Sequence, residues 1–132
     1  MREVEQKIIE YIKENWSTTP IDWGWQRQET TANSWIAIHF LSDIREASRK
    51  EDKFLNLLLS IGVFSTDENL YSISDIMDGL RDLLEQKCLN SANFNIEFRE
   101  FSVAMLPNET LSKNRMIKHA NVDIPILAQL KR

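Results

Sequence analysis

The sequence predicts an α+β fold, in which a mainly antiparallel four-stranded sheet carries two helices on one face. Two segments place apolar residues at helical spacing, and four others are rich in β-branched or aromatic residues or alternate apolar with polar ones. Their order is helix, strand, strand, helix, strand, strand, so that the strands follow one another in hairpin pairs. A chain of 132 residues is close to the usual domain size, and we expect a single domain over residues 1–132.

Residues 4–16, VEQKIIEYIKENW, predict the first helix. Val4, Ile8, Ile9, Ile12 and Trp16 form one apolar stripe, and charged residues lie elsewhere on the helix. We expect the helix to end at the following STTP, because Pro20 lacks an amide hydrogen and favours extended geometry in the residue before it.

The first strand pair lies in residues 34–65. SWIAIHFL, residues 34–41, is apolar on both faces and predicts a buried strand. FLNLLLSIGVFS, residues 54–65, alternates and predicts a second strand, although a helix over 51–60 is an alternative because leucine is a good helix former. If the segment is a strand, the charged residues 43–53 form the loop of a long hairpin that projects from the body.

The second helix is predicted by YSISDIMDGLRDLLEQK, which repeats its apolar residues at i, i+3, i+4 and i+7. Ser72 and Asp75 have the spacing of a capping box. Gly79 lies inside this helix at a cost of about 1 kcal/mol relative to alanine. We therefore expect a close approach to a neighbouring element at Gly79.

The closing strand pair contains a change of parity. NFNIEFREFSVAML has its apolar residues on even positions before Arg99 and on odd positions after Glu100, which predicts a β-bulge or break at these two residues. In RMIKHANVDIPIL, Pro125 predicts an edge strand or the end of one, because proline cannot donate to a ladder. PNETLSKN, residues 107–114, is expected to be a protruding polar connection. One face of the last strand is predicted to consist of Met116, Ala120, Val122, Ile124 and Ile126.

Composition excludes several classes of protein. The net charge is −4, with 16 basic and 20 acidic residues, and the basic residues are scattered, so we expect no nucleic-acid binding, sequence-specific or otherwise. The only cysteine, Cys88, excludes an intrachain disulfide and is expected to be buried. The sequence has neither an apolar run of membrane-spanning length nor an N-terminus resembling a signal peptide. We expect a soluble protein that is made in the cytoplasm and has no membrane partner.

No residue pattern supports catalysis, and we expect no enzyme, cofactor or metal site. Of the two histidines, His39 is expected in the core and His119 on the more polar face of the last strand, beside Asn121 and Asp123. The chain lacks the close spacing of zinc motifs, and its three glycines are too far apart for a phosphate-binding loop.

The segment PIDWGWQRQ leaves three interpretations open. We expect residues 21–28 to form a short strand or extended arm, in which Trp23 and Trp25 share one face. Such a pair can pack in the core, anchor a subunit interface, or form an aromatic platform for a ligand. A platform for bases is usually accompanied by several basic residues, and only Arg27 is near.

The chain resembles the small tail terminator, or tail completion, proteins of long-tailed bacteriophages. The resemblance is architectural and covers most of the chain: VEQKIIEYIKEN leading to TPIDW, the strands SWIAIHFL and SIGVFS, the helix SISDIMDGLRDLLEQ, and the closing pair FREFSVAML and RMIKHANVDIPIL. It implies a structural virion protein of the tail-neck region. Such a subunit forms a ring, typically a hexamer, that caps the tail tube protein and docks to the head connector or neck protein.

Surface features of the predicted fold are compatible with such a ring. A subunit with an edge strand and protruding loops has the parts for head-to-tail contact, which closes into a ring when the rotation per subunit is right. The candidate interface residues are Trp23, Trp25, Arg27, Arg45, Arg49, Lys50, Asn108, Glu109, Lys113 and Arg115. The alternative is a monomeric binding module that uses Trp23 and Trp25 as a platform for a peptide, sugar or base.

Overall fold

The computed structural model describes residues 2–23, 34–42, 54–65, 71–112 and 115–131. Two helices are present in these ranges, α1 (Arg2–Asn15) and α2 (Tyr71–Leu84). The strands are β1 (Ile21–Trp23), β2 (Ser34–Ser42), β3 (Phe54–Ser65), β4 (Cys88–Asn90), β5 (Phe94–Phe98), β6 (Ser102–Ser112) and β7 (Arg115–Leu130). The α+β class is as predicted, and residues 54–65 form a strand rather than the alternative helix.

All seven strands belong to one mixed sheet. Its order is β1-β2-β3-β7-β5-β4, and β6 also pairs with β7. The β1–β2 pair is parallel, and the pairs β2–β3, β3–β7, β4–β5, β5–β7 and β6–β7 are antiparallel. The prediction of four strands is therefore wrong in number. The count left out β1, which lies in the segment 21–28 that was expected to be extended. It missed β4, whose three residues are too few for a periodic signal, and it joined β5 to β6.

The hydrophobic core lies between the two helices and one face of the sheet. This face carries the even-numbered residues of β2 and β7 and the odd-numbered residues of β3, which pair across the strands. Its buried members are Ile36, Ile38, Leu57, Leu59, Ile61, Val63, Ala120, Val122, Ile124, Ile126 and Ala128. The helices contribute Val4, Ile8 and Ile12 from α1 and Ile73, Ile76, Leu80 and Leu84 from α2. The stripes that the periodicity predicts face the core, with Ile9, Met77 and Leu83 only partly buried at their margins.

Gly79 of α2 makes the close approach that its position predicts. A Cβ atom at this residue would lie 3.1 Å from Cζ3 of Trp16, the residue directly after α1. Trp16 is buried and continues the helix ladder, since its amide donates to the carbonyl of Ile12 at 2.8 Å. The indole therefore occupies the space above Gly79 and joins the end of α1 to the middle of α2.

The predicted change of parity near Arg99 and Glu100 is confirmed. Phe98 pairs with Ile126, and Ser102 pairs with Asp123, so that three residues of the β5–β6 segment face two residues of β7. One extra residue reverses which face each later side chain takes. Both β5 and β6 can then pair with the same strand.

Pro125 does not mark an edge, because β7 is paired on both sides. Its carbonyl accepts a hydrogen bond of 2.8 Å from the amide of Arg99. Within a strand, the N–H and C=O of one residue point to the same side, so the missing N–H of Pro125 also falls at the bulge. Proline is tolerated at bulges as well as at edges. The prediction of an edge strand is wrong for this reason.

Two predictions of burial are also wrong. Cys88 is exposed, because β4 places Leu89 toward the core side and Cys88 away from it. His39 is exposed as well, since the odd-numbered residues of β2 point to the sheet face opposite the helices. In addition, α2 begins at Tyr71, one residue before the predicted cap Ser72.

A carboxylate holds the first turn of α1 to the turn between β4 and β5. Glu3 Oε2 accepts hydrogen bonds from Ser91 Oγ at 2.5 Å and from the Asn93 amide at 2.9 Å, and Glu3 Oε1 accepts one from Asn93 Nδ2 at 2.7 Å. Lys131 Nζ donates to the Ser91 carbonyl at 2.8 Å and brings the end of the described chain to the same turn. The hydrogen bond from Ser91, followed by those from Asn93, lowers the pKa of Glu3 below its ordinary 4.5.

We predict that Glu3→Gln lowers the melting temperature at neutral pH and has little effect in acid. The folded-state pKa is lowered, so the ionised carboxylate adds stability that is present above 4.5 and is lost as the pH falls through the folded-state pKa. The measurement is thermal unfolding by circular dichroism from pH 7 to pH 2. Glu5→Gln, in the same helical turn, is the control for the helix dipole. An equal loss for both variants at every pH would contradict the assignment.

We predict that Gly79→Leu destabilises the fold by about 1–3 kcal/mol, because the side chain would overlap the Trp16 ring. Gly79→Ala is the matched control, since its gain in helix propensity of up to about 1 kcal/mol offsets a tight Cβ contact. Urea denaturation gives both free energies of unfolding. A Leu variant as stable as the Ala variant would show that Trp16 does not pack over α2.

Candidate interface surfaces

Trp23 lies in the hydrophobic core. It follows the parallel pairing of β1 with β2, where it is the register partner of Ile38, and only 8% of its surface is exposed. Lys13 Nζ lies 5.5 Å from the centre of the Trp23 ring, within the range of a cation–π contact. Of the three interpretations, the geometry of this chain favours core packing for Trp23.

The other candidate residues divide into two groups. Outside the described residues lie Trp25, Arg27, Arg45, Arg49, Lys50 and Lys113, together with the whole 43–53 segment. The structure places Asn108 and Glu109 in β6 and Arg115 at the start of β7. The second group therefore belongs to one hairpin, which β6 and β7 form.

Among the described residues, the β6–β7 hairpin extends beyond β3. In these ranges β3 pairs with β7 as far as Lys118, whereas β6 remains paired with β7 from Ile117 to Arg115. At a strand rise of about 3.4 Å per residue, these three residues project roughly 10 Å past β3. The expected loop 107–114 is thus mostly strand, because β6 continues to Ser112 with register shifts at Leu106/Glu109 and Thr110/Ser112.

The first part of β6 is exposed on both of its faces. Ser102, Val103 and Ala104 are all exposed, and Val103 retains 39% of its surface although it is the register partner of the buried Val122. Their exposure indicates that the helices do not cover these three residues. Among the described strands, β6 pairs only with β7 and leaves its other edge open.

The second face of the sheet, opposite the helices, carries a stack of three rings. Trp35, Phe64 and His119 are register partners on β2, β3 and β7. The ring centroids of Trp35 and Phe64 lie 5.3 Å apart, and those of Phe64 and His119 lie 4.1 Å apart, with interplanar angles of 11° and 20°. These separations are close to the spacing of neighbouring strands, about 4.8 Å. Each face of the central ring is therefore covered by a neighbouring ring, which leaves no open aromatic platform at Phe64.

Polar side chains continue from this stack along the second face. Ser60 Oγ donates to Asn121 Oδ1 at 3.3 Å, and Asn121 Nδ2 donates to Asp123 Oδ1 at 2.8 Å. His119, Asn121 and Asp123 share this face, as the sequence predicts. Ser60, Asn121 and Asp123 of this row are hydrogen-bonded to one another.

A groove of about 910 Å³ lies at the bulge between β5 and β6. Glu85, Glu97 and Glu100 lie in its wall, and Arg99 Nη1 forms an ion pair of 3.0 Å with Glu97. Both members of this pair are about half exposed, so it adds little stability. No group of three or more His, Cys, Asp or Glu residues that could hold a metal ion occurs in the described ranges.

Comparisons with known proteins inform the fold. No protein-family model matches the chain, and no curated protein matches it. Among solved structures, 11 chains match. One of them superposes with a TM-score of 0.59 at 11% sequence identity, covering 99% of this chain and 92% of its own, and its name states no function. At this identity the likeness shows a shared fold alone. In the part of the chain that the structure describes, no helix is long and apolar enough to cross a membrane.

The ring stack is the feature that sequence reasoning missed. Each member falls on an odd-numbered position of β2 or β7 or an even-numbered one of β3, the phase opposite to the core. Register alignment of residues 34–42 with 57–65 would have placed Trp35 beside Phe64, but the position of β7 beside β3 could not be inferred from sequence order.

Gly62 makes room for this stack. A Cβ atom at Gly62 would lie 2.8 Å from Cε2 of Phe64 and 3.5 Å from Nε2 of His119. The Phe64 ring thus covers backbone that a side chain would otherwise occupy, an arrangement by which aromatic residues compensate for strand glycines.

We predict that Gly62→Ala destabilises the chain by about 1–3 kcal/mol by displacing the Phe64 ring. In a Phe64→Leu background, the same substitution should cost less, because the obstructing ring is gone. A double-mutant cycle from urea denaturation measures the coupling. Equal costs in both backgrounds would show that Phe64 does not lie over Gly62 in solution.

Proposed function

We propose that this protein is a structural subunit of a bacteriophage tail, which assembles into a ring, caps the tail tube protein and joins it to the head connector or neck protein. The observation that carries the proposal is the β6–β7 hairpin, which projects beyond the sheet and has one open edge. A head-to-tail ring needs two different contact surfaces on each copy, and a projecting hairpin is suited to reach a neighbour.

The likeness to tail terminators supports a hexameric ring in the tail-neck region of the virion. Asn108, Glu109 and Arg115 lie on the hairpin, where contacts with a neighbouring copy or with the tube are expected. Arg27, Arg45, Arg49, Lys50 and Lys113 remain candidates for the same role. The second-face side chains pair among themselves, and nothing among the described residues resembles a nucleophile held by a base.

The alternative function, a monomeric binding module, has weaker support. It requires Trp23 as part of an aromatic platform, and Trp23 has 8% of its surface exposed in the core cluster. A ligand that stacked on this ring would first have to displace packed side chains. An assembly role leaves Trp23 in place.

We predict that light scattering and native mass spectrometry will give one closed oligomer, six copies in size, and that electron microscopy will show rings. Tail tubes assembled with the protein should have a defined length, and tubes assembled without it should not. A protein that remains monomeric and leaves tube length unchanged would overturn the proposal.

A shortened variant isolates the hairpin. Residues 107–118 are replaced by Asn-Gly, a two-residue turn that suits antiparallel strands. This change removes the projecting part and retains the pair of Leu106 with His119. We expect a folded monomer that keeps the helical far-ultraviolet circular dichroism signal and neither forms rings nor controls tube length. Rings from this variant would show that the projecting part of the hairpin makes no required contact.

A further inference from the structure

The direction of the backbone groups on β6 follows from one hydrogen bond. The Pro125 carbonyl accepts from Arg99, so the odd-numbered residues of β7 direct their N–H and C=O groups toward β5 and β6. The Lys131 amide, which donates to the Asn93 carbonyl at 2.8 Å, obeys the same alternation. In β6, the register partners of odd-numbered β7 residues are Ser102, Ala104 and Leu106. The N–H and C=O groups of these three residues therefore bond to β7.

The intervening residues, Val103 and Met105, therefore direct their N–H and C=O groups away from β7. Among the described strands none lies on that side. The edge segment, defined as Ser102–Leu106, presents two donors and two acceptors at the regular spacing of an antiparallel ladder.

This edge segment lacks the usual protection of an open strand. Natural edges are commonly protected by charged side chains, proline or bulges. SVAML contains none of these residue types, and the nearest ones are Glu100 before it and Pro107 after it. Val103 is one of the large apolar side chains that remain exposed. The residue types that protect an open edge thus occur only on either side of the edge segment, and none lies within it.

We propose that the edge segment Ser102–Leu106 accepts an extended strand from a second copy of this chain, which continues the sheet from one subunit to the next. This inference rests on the proposed function, since a ring supplies the neighbouring copy. The charge of the molecule favours this contact point. Copies with a formal charge of −4 repel one another, and an uncharged stretch between Glu100 and Glu109 is where two backbones can approach at low electrostatic cost.

The experiment removes one backbone donor. Val103→Pro deletes the outward N–H and leaves the bonds from Ser102 and Ala104 to β7 intact, and the extended backbone before it is compatible with proline. Val103→Ala is the matched control, because it removes the same side chain and keeps the N–H. Light scattering and native mass spectrometry report assembly, and circular dichroism reports folding. We expect Val103→Pro to be folded and to lose the oligomer, whereas Val103→Ala retains it.

Amide hydrogen exchange on the wild-type protein gives a second test that does not depend on the variant folding. In dilute monomer, the Ala104 amide should be protected, whereas those of Val103 and Met105 should exchange freely. In the oligomer, Val103 and Met105 should become protected. An oligomer in which both amides still exchange freely, or which Val103→Pro still forms, overturns this inference and leaves the ring standing. If Val103 and Met105 become protected only when another protein is added, the strand that pairs with the edge segment does not come from a second copy. A wild-type chain that never assembles overturns both proposals.

Discussion

The pairing of β7 on both sides is the constraint on which the rest of the structure depends. This strand has 16 residues, and β3 follows it over 12 of them, from Gln129 to Lys118. The opposite side is divided between β5 and β6, which meet at the bulge of Arg99, Glu100 and Phe101. Because the bulge adds one residue, each half of the β5–β6 segment turns its apolar side chains to the face that the core of β7 also uses. The same bulge accommodates Pro125. It therefore accounts for both the change of parity between β5 and β6 and the missing N–H of Pro125.

The division of the sheet around β7 also separates a half that packs against α1 from a half whose first residues are exposed. The half with β5 and β4 is held to α1 through Glu3 and the Ser91–Asn93 turn, and Phe98 and Ile96 are buried there. The half with β6 lacks this cover, and its first three residues are exposed. Exposed residues such as Ser102–Ala104 add little to the core, while ordering their backbone is opposed by conformational entropy. Their pairing with β7 is consistent with the contact between copies that we propose.

The spacing of apolar residues predicted the elements that face the core. It did not predict the positions of residues that lie outside the core. Val4, Ile8 and Ile12, or Ile36 and Ile38, repeat at the spacing of their structure, and burial follows. The strand at 54–65 was recognised by alternation despite its leucines, since pairing with β2 and β7 outweighs intrinsic propensity. His39 and Cys88 were misplaced because an apolar neighbourhood in sequence does not say which face of a sheet a residue takes. Pro125 was misread because the compensating bulge lies 26 residues away in the sequence, at Arg99.

Pro107 limits the length of β6 that can pair with an added strand. Pro107 follows the edge segment directly, and the pairing of β6 shifts register between Leu106 and Glu109. Past this point the strand cannot present a regular ladder, so an added strand can pair with about five residues and no more. A longer regular edge would admit partners in several registers and would promote open-ended aggregation. In the ring that we propose, the irregular end of β6 would restrict the register of an incoming strand, as a fixed rotation per subunit requires.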